Sequence, residues 1–258
     1  MRLMKRILSA AAVLALSASL LVGCSSGTAS SVPVSASSAA ESTVSSVEET
    51  ASSAVDENEA AAAQLLNDLT GSYQELWPVI LADEYKQTWL DDCTALVGED
   101  NAEAAFEKLS SMVTGDVYGE DAVEAYANGG GAYFCGFTNS LAILTFDGET
   151  STISGTDKDG NVLFSHTYHY IGMEPVRGLY EFQSDDADSG EFTYFFLAPD
   201  TSAETYHIEF RYGSDAEALS QYDAGEYAYW VASGISTDCD QTMIDNCIEL
   251  FCTENLAG

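Results

Sequence analysis

Apolar and polar positions divide the chain into four textures. A mostly apolar run from Ile7 to Val22 follows Arg2, Lys5 and Arg6, and a stretch of Ser, Ala, Thr and Val with scattered Glu then extends from Ser25 to about Ala54. From Ala60 the apolar residues recur every three or four positions, which predicts helices over Ala60 to Leu69, Tyr73 to Leu96, Asn101 to Val113 and Glu120 to Ala127. Leu76, Trp77, Ile80, Leu81, Tyr85 and Trp89 mark the second of these, with Pro78 inside its first turn. Beyond Gly129, Gly130 and Gly131, aromatic and β-branched residues alternate with polar ones in short segments.

That alternation predicts strands near Ala132 to Thr138, Ala142 to Phe146, Glu149 to Gly155, Val162 to Ile171, Leu179 to Gln183, Phe192 to Leu197 and Thr205 to Tyr212. Asp147-Gly148 and Asp159-Gly160 supply hairpin turns. Consecutive strands of this kind leave exposed edges unless the sheet closes, so a small antiparallel barrel is expected. Asp215 to Tyr222 and Thr237 to Phe251 read as terminal helices, giving a mainly β fold with helices packed around the barrel.

The first texture has the charged and greasy regions of an export signal, too short and too rich in small residues for a stable span. It ends in Leu21, Val22, Gly23 and Cys24, which resembles the lipobox of bacterial lipoproteins. The expected organisation is a signal peptide over 1–23, a lipidated Cys24 with a Ser/Ala-rich tether to residue 58, and one domain over 59–258. The tether composition offers too little apolar surface to offset the entropy of ordering, whereas some 200 residues suffice for a core. The protein is therefore expected at the cell membrane, anchored by lipid and facing away from the cytoplasm.

Charge narrows the partners. The chain has 42 acidic residues against 8 basic ones, and Arg2, Lys5 and Arg6 leave with the signal. So acidic a surface disfavours nucleic acid and anionic headgroups. Cys93, Cys135, Cys239, Cys247 and Cys252 contain no CxxC pair, which leaves a thioredoxin-like motif or a thiolate zinc finger unsupported. Buried or partly paired cysteines fit better, with Cys239 or Cys247 as partners for Cys252.

No HExxH, GxSxG, phosphate-cradling glycine loop or dinucleotide fingerprint occurs, and the protein is expected to bind without turning over a substrate. The histidines are His166, His169 and His207. Residues three apart in a strand face opposite sides, so only one of His166 and His169 can enter a lumen. His166 shares a face with Tyr168 and Tyr170, and His207 shares one with Thr205 and Glu209. One lumen histidine from each strand, His166 and His207, together with Glu209, would make a nitrogen and oxygen site of the kind zinc accepts.

The order of short segments resembles the ZinT family of zinc-binding, lipocalin-like domains. These are Gly71-Ser-Tyr-Gln-Glu-Leu-Trp-Pro, Tyr168-His-Tyr-Ile-Gly, Gly178-Leu-Tyr-Glu-Phe, Phe196-Leu-Ala-Pro, Tyr206-His-Ile-Glu-Phe and Glu226-Tyr-Ala-Tyr-Trp, followed by a closing helix. The resemblance runs from about Leu69 onward and implies a calycin-type barrel. It also implies binding of a divalent metal, zinc by preference, for capture or for delivery to an uptake transporter. Of the three histidines that bind metal in that family, the matching positions here hold Phe195, Thr205 and His207, with Glu204 next to the second. Loss of two imidazoles leaves a second reading open, a metal-free barrel that binds a small apolar ligand or a partner protein through its aromatic lumen.

Overall fold

The computed structural model describes residues 57–198 and 207–257. The signal run, Cys24, the tether as far as Asp56, and Glu204, Thr205 and Tyr206 lie outside the described residues. Strands β1 (Gly71–Glu75), β2 (Ile143–Asp147), β3 (Thr152–Thr156), β4 (Val162–Met173), β5 (Tyr180–Ser184), β6 (Tyr194–Leu197), β7 (His207–Gly213) and β8 (Ala232–Ser236) form a closed antiparallel barrel. Each pairs with its neighbour in sequence, and β1 completes the circle against β8 through Tyr73 opposite Ser236 and Glu75 opposite Gly234. Closure leaves no unpaired edge, which is the reason a run of such short strands is stable.

Helices surround the barrel: α1 over residues 57–68, α2 (Leu76–Ile80), α3 (Lys86–Val97), α4 (Glu99–Val113), α5 (Glu120–Ala125), α6 (Ala216–Leu219) and α7 (Gln241–Leu256). Among the described residues, no helix is long and apolar enough to cross a membrane. The Asp147-Gly148 turn packs against α1 so closely that a Cβ on Gly148 would stand 2.4 Å from the Asn67 Cα. The Asp159-Gly160 turn closes with Gly160 at φ +81°, where a side chain would be strained. Asp157 organises it by accepting from the backbone N–H groups of Asp159 and Asn161 at 2.9 and 2.8 Å.

Three expectations change. The single helix expected over Tyr73 to Leu96 is β1, α2, a 3-10 turn at Asp83–Tyr85 and α3. The three- and four-residue spacing starts only at Leu76, and Gly71 to Glu75 instead find partners in β2 and β8, which are distant in sequence. Ala132 to Thr138 is not a strand of the barrel and contributes only isolated bridges at Phe134. Its Phe137 ring meets Phe210 edge-on at 5.3 Å, and the Phe137 N–H donates to Glu75 Oε1 at 2.6 Å, so this segment caps the lumen. The eighth strand, β8, was not expected, because Ala232, Ser233, Gly234, Ile235 and Ser236 are mainly small residues without an aromatic or a clear polar–apolar alternation. Small residues suit that place: a Cβ on Gly234 would lie 3.1 Å from Ile208 and 3.3 Å from Tyr73.

Two apolar cores result. One fills the lumen, where Phe146, Phe182, Phe195, Phe210 and Tyr212 are fully buried. Phe195 packs 5.4 Å from both Tyr168 and Tyr212, ring centroid to ring centroid, and the Tyr212 hydroxyl is held by Thr138. The other core lies between the outer wall and α2, α3, α4 and α7, centred on Trp89, Leu109, Ile235 and Ile248. All five cysteines of the domain belong to this second core or pack against it. Of the two partners expected for Cys252, Cys247 is placed badly for a bond to it. Cys247 precedes it by five residues on one helix, a rise of about 7.5 Å, whereas Cys93 on α3 brings its sulfur to 3.9 Å.

Candidate metal-ligating recess on the outer barrel wall

The alternation of β7 decides where the sequence-selected residues go. Ile208, Phe210 and Tyr212 belong to the lumen core, so their neighbours His207, Glu209 and Arg211 must point outward. His207 lies opposite Ile235 and Glu209 opposite Ser233 on β8, both on the outer face. Lumen placement of His207 and Glu209 is thereby corrected, and the cause is the apolar set of β7, which occupies the even positions.

His166 does lie on the inner face of β4, between Phe164 and Tyr168, and its ring stacks 5.9 Å from Phe164. Its Nδ1 is 2.8 Å from Asp186 Oδ2. It therefore sits on the opposite side of the wall from His207, and the two imidazoles do not share a site. His169, one face over, is exposed and holds Asp185 at 2.7 Å. Phe195 projects into the lumen opposite Tyr212, five residues along β7 from His207. The position matched to the first family histidine is thus also on the wrong side of the wall to join His207.

His207 and Glu209 stay together, and α7 adds what sequence reasoning missed. They line a recess of about 40 Å³ with Trp77 of α2 and Cys247, Phe251 and Glu254 of α7. Cys247, Phe251 and Glu254 are four and seven residues apart, which puts them on one helical face. Asp240 starts that helix by accepting from the Met243 N–H at 3.0 Å. The periodicity of α7 was legible; its docking on β7 was not.

Burial pushes the Cys247 thiol up to about 12, with Cys239 adding to the shift, so it carries its proton throughout the neutral range. The nearby Cys135 thiol is pushed up to about 12 as well, by burial first and then by the Glu209 carboxylate. His207, Glu209, Cys247 and Glu254 are all engaged with neighbouring groups. Imidazole, carboxylate and thiol suit a borderline ion such as zinc. Among the described residues, however, no three His, Cys, Asp or Glu side chains stand ready around one point. A larger opening of about 320 Å³ adjoins Trp77, with Pro78, Leu81 and Phe134 among its largely apolar walls.

No protein-family model and no curated protein sequence matches this chain. Among solved structures it is similar to the Zn(II)-bound ZinT-like domain of AdcA from Streptococcus pneumoniae, at 15% identity and a TM-score of 0.45, over 71% of this chain and 89% of that one. It is also similar to Zn(II)-bound AdcA from the same organism, at 15% identity and a TM-score of 0.41, over 72% of this chain and 35% of that one. The likeness is one of fold.

Proposed function

We propose that this protein captures a divalent metal ion, zinc by preference, at the outer barrel wall and passes it to an uptake transporter without chemical turnover. The convergence of His207 and Glu209 of β7 with Cys247 and Glu254 of α7 on one recess carries this reading. The similar chains named above hold Zn(II); in this chain the donors would be its own nitrogen, oxygen and sulfur set. Because those donors must be drawn together and released from existing partners, binding would be weak and readily reversed. Such an affinity suits handover better than storage.

Zinc titrated into the purified chain should give one-to-one heat, and His207→Ala should lower the affinity at least about tenfold. The pH dependence follows from the raised Cys247 thiol. Binding through its sulfur releases a proton at every pH below about 12, so apparent affinity should rise about tenfold for each pH unit between 6 and 8 from this group alone. Cys247→Ser should remove that part of the slope. Diffuse heat that His207→Ala leaves unchanged would defeat the metal reading.

The same proposal places the protein at the outer face of the cell membrane through lipid on Cys24, supported by the basic and apolar run before Leu21-Val22-Gly23-Cys24. Cys24→Ala should shift it from the membrane pellet to the soluble fraction, and continued sedimentation with membranes would count against the anchor.

A further inference from the structure

The strongest unassigned chemistry lies where α3 crosses α7. Cys93 and Cys252 are both fully buried, stand 159 positions apart in sequence, and approach to 3.9 Å between sulfurs. The rings beside them fix that crossing: Trp89, one turn before Cys93, meets Phe251, the residue before Cys252, edge-on at 6.0 Å. We propose that Cys93 and Cys252 are a disulfide-forming pair that covalently joins α3 to α7. A disulfide needs the sulfurs about 2 Å closer than this contact. This pairing leaves Cys135, Cys239 and Cys247 as thiols, so the Cys247 donor of the metal recess is retained.

The reaction balances with a low-molecular-weight disulfide such as oxidised glutathione. One cysteine thiolate attacks it, forming a mixed disulfide and releasing one glutathione thiol. The second cysteine then displaces the other glutathione, so two protein thiols are oxidised and one glutathione disulfide becomes two thiols. Burial raises both protein thiols, Cys252 most strongly with Cys93 beside it, and disfavours the attacking thiolate once the helices have packed. The bond is therefore made while α7 docks, and the folded, reduced protein resists oxidation. Formation during export rests on the location proposed above; formation in glutathione does not.

The test is non-reducing peptide mapping by mass spectrometry on two preparations of the whole chain, each alkylated before digestion. One is taken from the exported protein, and the other is refolded in a glutathione redox buffer. The expected result is a Cys93 peptide joined to a Cys252 peptide in both, with Cys135, Cys239 and Cys247 alkylated. Dithiothreitol should lower the melting temperature by about 5–15 °C, and a Cys93→Ala, Cys252→Ala double variant should lose this response. A linked pair in glutathione but free thiols in the exported material would uphold the pair and remove the export premise. Alkylation of Cys93 and Cys252 in both preparations, or a bond from Cys252 to another cysteine, would overturn the assignment. None of these readouts involves zinc, so failure of the metal reading stays separate.

Discussion

Replacing Arg211 by alanine should destabilise the domain by about 3–5 kcal/mol, measured by urea unfolding. Arg211 is fully buried on the outer face of β7, where its guanidinium donates to the backbone carbonyls of Leu219, Gln221 and Tyr227. It thereby fastens the 219–227 segment to the barrel wall. The Tyr222 ring lies 4.4 Å from it and takes the Arg177 guanidinium 4.0 Å away as well. Burial lowers Arg211 to about 10, which still leaves it charged at neutral pH. Truncation would strand the buried carbonyls of Leu219 and Tyr227 and leave a void, whereas the exposed Gln221 could recover water. Arg211→Met keeps most of the volume and removes the donors, so it isolates the hydrogen bonds, each worth about 1–3 kcal/mol when a buried acceptor is orphaned. Stability of Arg211→Met within about 0.5 kcal/mol of the parent would show that the carbonyls do not depend on the guanidinium.

Arg211 also illustrates which parts of the fold were legible. Ile208, Phe210 and Tyr212 announce the inward face of β7 by strict alternation. The same alternation places His207 and Glu209 outside, a consequence the pairing of His207 with His166 overlooked. A charged residue amid such a pattern reads as solvent-facing, yet Arg211 is buried because the loop after α6 folds over it. That loop's position depends on pairings across the chain and not on local pattern. β1 and β8 were hidden for related reasons: helix-like spacing begins directly after β1 at Leu76, and β8 is built of small residues that fit against Tyr73 and Ile208. The long strand β4 and the helices α4 and α7 carry their own periodicity and were legible. The recess was half legible, since its β7 donors share a strand face while Cys247 and Glu254 join only through the packing of α7.

Replacing Phe195 by alanine should cost about 3–5 kcal/mol in urea unfolding and open a cavity in the lumen. Phe195 is fully buried, with Phe164 and Phe210 at 5.9 and 6.3 Å in addition to Tyr168 and Tyr212. Its neighbours are themselves locked: the Tyr168 hydroxyl donates to the Phe192 carbonyl, and Phe164 stacks on Phe192 at 3.9 Å. So rigid a surround collapses little, and a cavity lined by aromatic rings would accept a small apolar probe such as benzene. The parent protein should bind no such probe, because its own rings fill the lumen, and this separates the metal reading from the lumen-ligand one. Saturable probe binding by the parent would revive the lumen as the functional site. Zinc binding should survive in Phe195→Ala, since His207 lies across the wall, and Phe195→His should not strengthen it for the same reason. A gain of zinc affinity in Phe195→His would mean that β6 presents this position to His207 after all, and would displace the outer recess as the site.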